Sequence, residues 1–133
     1  MKLELLDDLS AGGRFADVVS ECLLRLSDFD EAQTAALIGL IEARLLGAGR
    51  PLPLAEVPFI RAVNCQLTLV LGAADAGIVE TGQPQQFICQ LTPEAYHVLL
   101  VRLRAVAAGS GYHWLCETSA ADIDFLYSPG GGW

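Results

Sequence analysis

The 133-residue chain is acidic and unusually apolar, with a formal net charge of −8, 53% hydrophobic residues and 18% charged residues. Its eight Lys and Arg residues are scattered, which excludes the clustered basic surface that nucleic-acid binding requires. A single domain of this size cannot bury so many apolar side chains, so we expect an apolar surface patch that contacts a partner protein.

The first third of the chain has the apolar spacing of helices. Residues 2–10 fit a short amphipathic helix, and residues 14–27 carry an apolar residue at every third or fourth position. Asp30 and Gln33 have the spacing of a capping box and predict the start of a helix over residues 31–46. The second and third of these segments therefore predict an N-terminal helical hairpin.

The pattern changes after the predicted hairpin. Residues 49–58 contain three prolines, which favour extended backbone and predict a connector. Apolar and polar residues then alternate over residues 61–71, as in a half-buried strand. Two shorter apolar runs, residues 78–80 and 86–91, follow after turns. These three strands with short turns predict an antiparallel meander.

The last third begins with a helix signal. A Thr-Pro-Glu sequence predicts a helix over residues 93–108, because Thr caps, Pro fits the first helical turn and Glu favours the positive end of the dipole. Residues 112–118 predict another strand. Residues 123–127 fit either a fifth strand or a short helix, and residues 129–133 form a glycine-rich tail.

These elements predict one α+β domain over residues 1–133. A helical part, residues 1–48, precedes a mostly antiparallel sheet of four or five strands within residues 59–128. In that second part the order of elements is β-β-β-α-β-β, and we expect the helix to pack on one face of the sheet.

The four cysteines share the phase of apolar neighbours, so we interpret them as core residues. His113 and Cys116 come nearest to metal-ligand spacing, but their odd separation on a regular strand places them on opposite faces. We expect no metal, cofactor or disulfide. The cysteines are Cys22, Cys65, Cys89 and Cys116.

Neither a signal-peptide core nor an apolar run of about 18 residues occurs, so we expect a cytoplasmic protein outside the membrane.

Composition favours a non-catalytic protein-binding module, which pairs with itself as a homodimer or with another protein. A homodimerising adaptor, a chaperone for a secreted partner and an immunity-like inhibitor are its possible forms. The candidate interface consists of Val98, Val101, Arg102 and Trp133, and both valines fall outside the apolar stripe of the predicted helix. Trp133 follows three glycines and either anchors in an apolar pocket or belongs to a loose terminus. In element order and composition alone, the chain resembles the small acidic chaperones of bacterial type III secretion.

The alternative is a small-molecule-binding protein or a minor enzyme. The sequence contains no catalytic, metal-binding or phosphate-binding motif, so this hypothesis depends on a pocket between the sheet and the helices. The aromatic and histidine residues near the predicted helix and the following strand would line that pocket. They are Tyr96, His97, Tyr112, His113 and Trp114.

Overall fold

We describe a computed structural model of the chain over residues 1–7, 22–107, 113–116 and 123–128. These residues form two α-helices and nine strands in two mixed sheets, so the α+β class agrees with the sequence. The predicted N-terminal helical hairpin and the mostly antiparallel sheet are both wrong. The elements are β1 (Lys2–Asp7), β2 (Cys22–Ser27), α1 (Glu31–Leu40), β3 (Leu52–Pro53), β4 (Arg61–Ala62), β5 (Gln66–Leu71), β6 (Gly77–Glu80), β7 (Gln86–Leu91), α2 (Pro93–Ala107), β8 (His113–Cys116) and β9 (Asp124–Ser128).

The first sheet has the strand order β4-β1-β2-β9-β8. Strands β1 and β2 pair antiparallel, whereas β9 lies parallel to β2 and β4 lies parallel to β1. Glu4 and Arg25 face each other across the β1–β2 ladder, and the Arg25 Nε donates to the Glu4 carboxylate at 3.1 Å. This half-buried ion pair joins the two strands on the face opposite Leu24 and Leu26, which are buried.

The structure replaces the predicted N-terminal helices with strands. Leu24 and Leu26 are buried on either side of Arg25, which is the period of two that a strand requires. A run of only six residues rich in leucine fits a helix and a strand equally well, so pairing with neighbouring strands decides between them. Residues 8–21, which include most of the predicted helix over residues 14–27, lie outside the described residues.

The second sheet has the order β3-β5-β7-β6, and it is not a meander. Strand β7 lies between β5 and β6, so that β5 and β7 pair parallel and β6 and β7 pair antiparallel. Two hydrogen bonds show how the chain after β5 crosses the carboxyl end of β7. The backbone N–H of Gly72 donates to the Leu91 carbonyl at 3.0 Å, and that of Thr92 donates to Asp75 Oδ1 at 2.8 Å. The meander on which the resemblance to the type III secretion chaperones depended is therefore absent from this sheet.

Both helices begin where the sequence predicts. At α1 the Asp30 carboxylate accepts from the Gln33 backbone N–H, while the Gln33 side chain accepts from the Asp30 N–H. The helix continues as a π-helical segment, Ile41–Gly47, which together with α1 covers the predicted range 31–46. At α2 the Thr92 hydroxyl accepts from the Ala95 N–H at 3.3 Å, as expected of its cap.

One apolar core joins the two sheets and the two helices. The proline-rich connector belongs to this core, because Leu52 in β3 and Leu54 in the following 3-10 turn are fully buried. Strand β9 supports the strand interpretation of residues 123–127. Its residues Phe125, Leu126 and Tyr127 are all buried, so both faces of this strand are covered.

Candidate functional site

Two valines on α2 are the most solvent-exposed of the large apolar side chains among the described residues. Val98 is 52% exposed and Val101 is 62% exposed, compared with 49% for Val63 and 40% for Val79. Residues three apart in a helix lie on the same side, so Val98 and Val101 form one apolar strip. The structure therefore brings together the two valines of the predicted interface.

The strip extends along one side of α2 and ends in opposite charges. Glu94 precedes the valines by one turn and Ala105 follows them by one turn, and both are exposed. We call Glu94, Val98, Val101 and Ala105 the α2 face. On its flank, Arg104 Nη2 lies 2.9 Å from Glu42 Oε1 of the π-helical segment. The α2 face is thus acidic at its N-terminal end, apolar in the middle and basic beside its C-terminal end.

The opposite side of α2 holds the helix firmly on the sheets. Leu99, Leu100 and Leu103 are buried there, and the Tyr96 hydroxyl lies 2.8 Å from the backbone carbonyl oxygens of both Val70 and Cys89. This hydroxyl is a donor inside the core and satisfies its own polarity there. The α2 face is therefore presented on a rigid support.

The structure does not assemble the pocket of the alternative hypothesis from Tyr96 and His97. Tyr96 points into the core, whereas His97 is exposed on the flank of α2. His113 and Trp114 fall in β8, of which only the backbone is described, and Tyr112 and Trp133 lie outside the described residues. Arg102, the third predicted interface residue, is half-buried on the other flank of α2.

Two clefts open beside the turn that joins β6 and β7, and none of the predicted pocket residues is among the described residues that line them. They have volumes of about 250 Å³ and about 220 Å³ and share Pro84 and Gln85. In the larger cleft, the side-chain amide of Asn64 is already hydrogen-bonded to the first sheet. It exchanges hydrogen bonds of 2.7 Å and 2.9 Å with the Leu5 backbone. Glu80, in the smaller cleft, is the one ionisable side chain besides Cys65 among the described lining residues.

Cys65 lies at the wall of the larger cleft but is buried and unreactive in character. Burial, with the nearby Glu4 carboxylate as the smaller cause, raises the pKa of the Cys65 thiol to about 12. A thiol with so high a pKa carries almost no thiolate at neutral pH, and the thiolate is the nucleophile. Cys65 and Cys89 are both buried, which confirms the core position predicted for these two cysteines.

No cluster of three or more His, Cys, Asp or Glu side chains in the described part of the chain could bind a metal ion. Strand β8, however, is not the regular strand on which His113 and Cys116 were expected to lie on opposite faces. A bulge between Trp114 and Cys116 places His113 opposite Tyr127 and Cys116 opposite Phe125. Those partners are two residues apart, so the parity of a regular strand no longer puts the two positions on different faces.

The sequence identified the two valines of the α2 face but missed the charges near them. Glu94 enters the sequence interpretation only as a signal of the helix start, and Arg104 is not part of the predicted interface. A helical projection of residues 94–105 would have shown the acid and the base flanking the valines.

None of the helices in the described ranges has both the length and the hydropathy needed to cross a bilayer. No model of a known protein family matches this chain, and no curated protein matches it either.

Proposed function

We propose that this chain is a non-catalytic protein-binding module and that the α2 face is its binding surface. The observation that carries the proposal is the exposure of Val98 and Val101, 52% and 62%, on a helix whose other side is anchored in the core. Burying such side chains against a partner is favourable by about 25 cal/mol per Å² of apolar area. Contiguous apolar side chains with polar residues at the rim are typical of protein interfaces.

The surroundings of the α2 face favour a protein over a small ligand. Helix α1 contacts α2, and the residues that α1 exposes are mainly small, among them Ala32, Ala36 and Gly39. A small-molecule site would need a concave pocket with convergent polar groups. The two clefts near Pro84, at about 250 Å³ and about 220 Å³, are smaller than the roughly 300–1,000 Å³ of typical ligand pockets, and their polar lining is mainly exposed glutamine side chains.

A cytoplasmic location belongs to the same proposal. It is supported by the buried cysteines Cys65 and Cys89, neither of which is in a disulfide, as is typical of proteins from a reducing compartment. A homodimerising adaptor is the form that the α2 face favours, because the acid Glu94 lies at one end of the face and the base Arg104 lies beside the other end.

Site-specific photo-crosslinking in cells that express the full chain tests the proposed surface. A benzophenone amino acid replaces Val98 or Val101 in two variants and Val63, which is 49% exposed but lies outside the α2 face, in a control. We expect light-dependent adducts from positions 98 and 101 and none above background from position 63. Adducts of equal yield from all three positions, or from none, would refute the α2 face as the binding surface.

A further inference from the structure

We infer that the α2 face binds the α2 face of a second copy of this chain, with the two helices antiparallel about a two-fold axis. The inference rests on the proposed function and names its partner. It depends on the order of residues along the face. When a second copy is turned end to end, its acidic end lies beside the basic residue of the first copy, and the valines of the two copies meet. A symmetric pair requires this kind of self-complementarity, in which residue i contacts residue j and residue j contacts residue i.

The axis that fits the face passes beside the midpoint between positions 98 and 101. In an antiparallel pair, each position then lies level with the position equally far on the other side of that midpoint. Val98 lies against Val101 of the second copy, and Val101 lies against Val98 of the second copy. Position 94 lies level with position 105 of the second copy. Along the helix axis, Glu94 is therefore only one residue, or about 1.5 Å, from Arg104 of the second copy.

The charges at the two ends make this arrangement favourable and the parallel one unfavourable. In the antiparallel pair, Glu94 of each copy meets Arg104 of the other, and both side chains are exposed at the rim. In a parallel pair Glu94 would meet Glu94, which is repulsive. Arg104 also pairs with Glu42 of its own chain at 2.9 Å, so the guanidinium would lie between two carboxylates.

Net charge adds a second reason for this face. Two copies of a chain with a net charge of −8 repel each other over most of their surfaces. Helix α2 carries one acid, Glu94, against Arg102 and Arg104, so it is not acidic. A contact between two α2 helices is small by the standard of stable dimers, and we expect a dissociation constant in the micromolar range.

Sedimentation equilibrium of the purified full chain tests the inference with charge-reversal variants. We expect Glu94→Arg and Arg104→Glu each to raise the dissociation constant of the dimer by about threefold to tenfold, because each change appears twice in the symmetric pair. The double variant, Glu94→Arg with Arg104→Glu, restores opposite charges and should recover most of the affinity. Glu31→Arg makes the same charge change in the first turn of α1 and serves as the control.

Each outcome has a distinct meaning. Weakening by both single variants with recovery in the double variant supports the antiparallel pair. A double variant that is weaker than either single variant, or a chain that stays monomeric up to millimolar concentration, overturns it. The second result leaves the proposed function standing if positions 98 and 101 still crosslink to a protein of another mass. Loss of those adducts as well would overturn both.

Discussion

A buried pair of hydroxyls connects two distant parts of the chain. Tyr127 Oη in β9 and Thr34 Oγ1 in α1 lie 2.5 Å apart, and the Tyr127 ring stacks on Phe29 with 4.0 Å between ring centroids. Burial raises the pKa of Tyr127 to about 12, against the smaller opposing effect of the Thr34 hydrogen bond. The phenol therefore stays neutral and holds α1 on the first sheet.

Tyr127→Phe and Thr34→Val should each lower the free energy of unfolding by about 1–2 kcal/mol, because each leaves the other hydroxyl buried without its partner. The double variant removes both polar groups and should lose clearly less than the sum of the single losses. Urea denaturation of the four proteins in this cycle measures the coupling. Strictly additive losses would mean that the hydroxyls do not depend on each other.

Alkaline pH should destabilise the fold through the same kind of buried neutral group. Cys65 and Tyr127 have pKa values of about 12 in the folded chain, against ordinary values of 9.0 and 10.0. Between about pH 9 and pH 12 the unfolded chain loses protons from these groups while the folded chain keeps them, so stability falls as pH rises. Below about pH 9 their contribution is fully present.

Cys65→Ala separates this effect from packing. The variant loses stability at neutral pH because it leaves space in the core, but its further loss between about pH 7 and about pH 10.5 should be smaller than that of the unaltered chain. Urea midpoints at the two pH values provide the comparison. The prediction is that Cys65 loses its proton in the unfolded chain but keeps it in the folded chain. An identical alkaline loss in both proteins would contradict this difference.

At the scale of elements, α1 and its π-helical extension differ in how much room their glycines have. A Cβ added at Gly39 would meet nothing within 4 Å, whereas one at Gly47 would lie 3.1 Å from the Glu42 carbonyl oxygen. The wider turns of the π-helical segment bring this carbonyl close to Gly47. The two glycines therefore look alike in the sequence but have different environments.

Gly39→Ala should raise the free energy of unfolding by about 0.5–1 kcal/mol, since alanine loses less backbone entropy than glycine in a helix interior. The same change at Gly47 should give no gain or a loss, because the Glu42 carbonyl must move away. Thermal denaturation of both single variants makes the comparison. Equal gains at both positions would show that the helix end adjusts without strain.

At the scale of the whole molecule, much of the apolar surplus is absorbed inside. Both faces of β9 are buried, the proline-rich connector contributes Leu52 and Leu54 to the core, and only Val63, Val79, Val98 and Val101 are large exposed apolar residues among those described. The two sheets share one core, and only residues 63–65 separate β4 in the first sheet from β5 in the second. The described parts of the chain thus behave as one packed body rather than as a helical part and a sheet part.

A shared core predicts a single cooperative unfolding transition. Far-ultraviolet circular dichroism reports the helices and strands together, and near-ultraviolet circular dichroism reports the packing of aromatic side chains such as the buried Tyr96 and Tyr127. We expect the two signals to change at the same urea concentration. Two separate midpoints would mean that one sheet unfolds independently of the other.

Local chemistry in the sequence determined the elements that depend on neighbouring residues. The capping box of Asp30 and Gln33 and the cap at Thr92 use hydrogen bonds within one turn of helix, so both helix starts could be read directly. The alternation around Cys65 and Cys89 likewise placed these thiols in the core. Val98 and Val101 stood out because an amphipathic helix has one buried side.

Only the tertiary structure decided what depends on distant residues. Whether Cys22–Ser27 is a helix or a strand depends on β1 and β9, whose pairing satisfies its backbone, because six leucine-rich residues suit both. The parallel pairing of β5 with β7 depends on a crossing that Asp75 and Thr92 hold in place, and no local pattern encodes strand order. The sequence alone thus determined the features that depend on local hydrogen bonds and on the period of apolar residues. Strand partners, strand directions and the surface left for a second molecule depend on long-range packing.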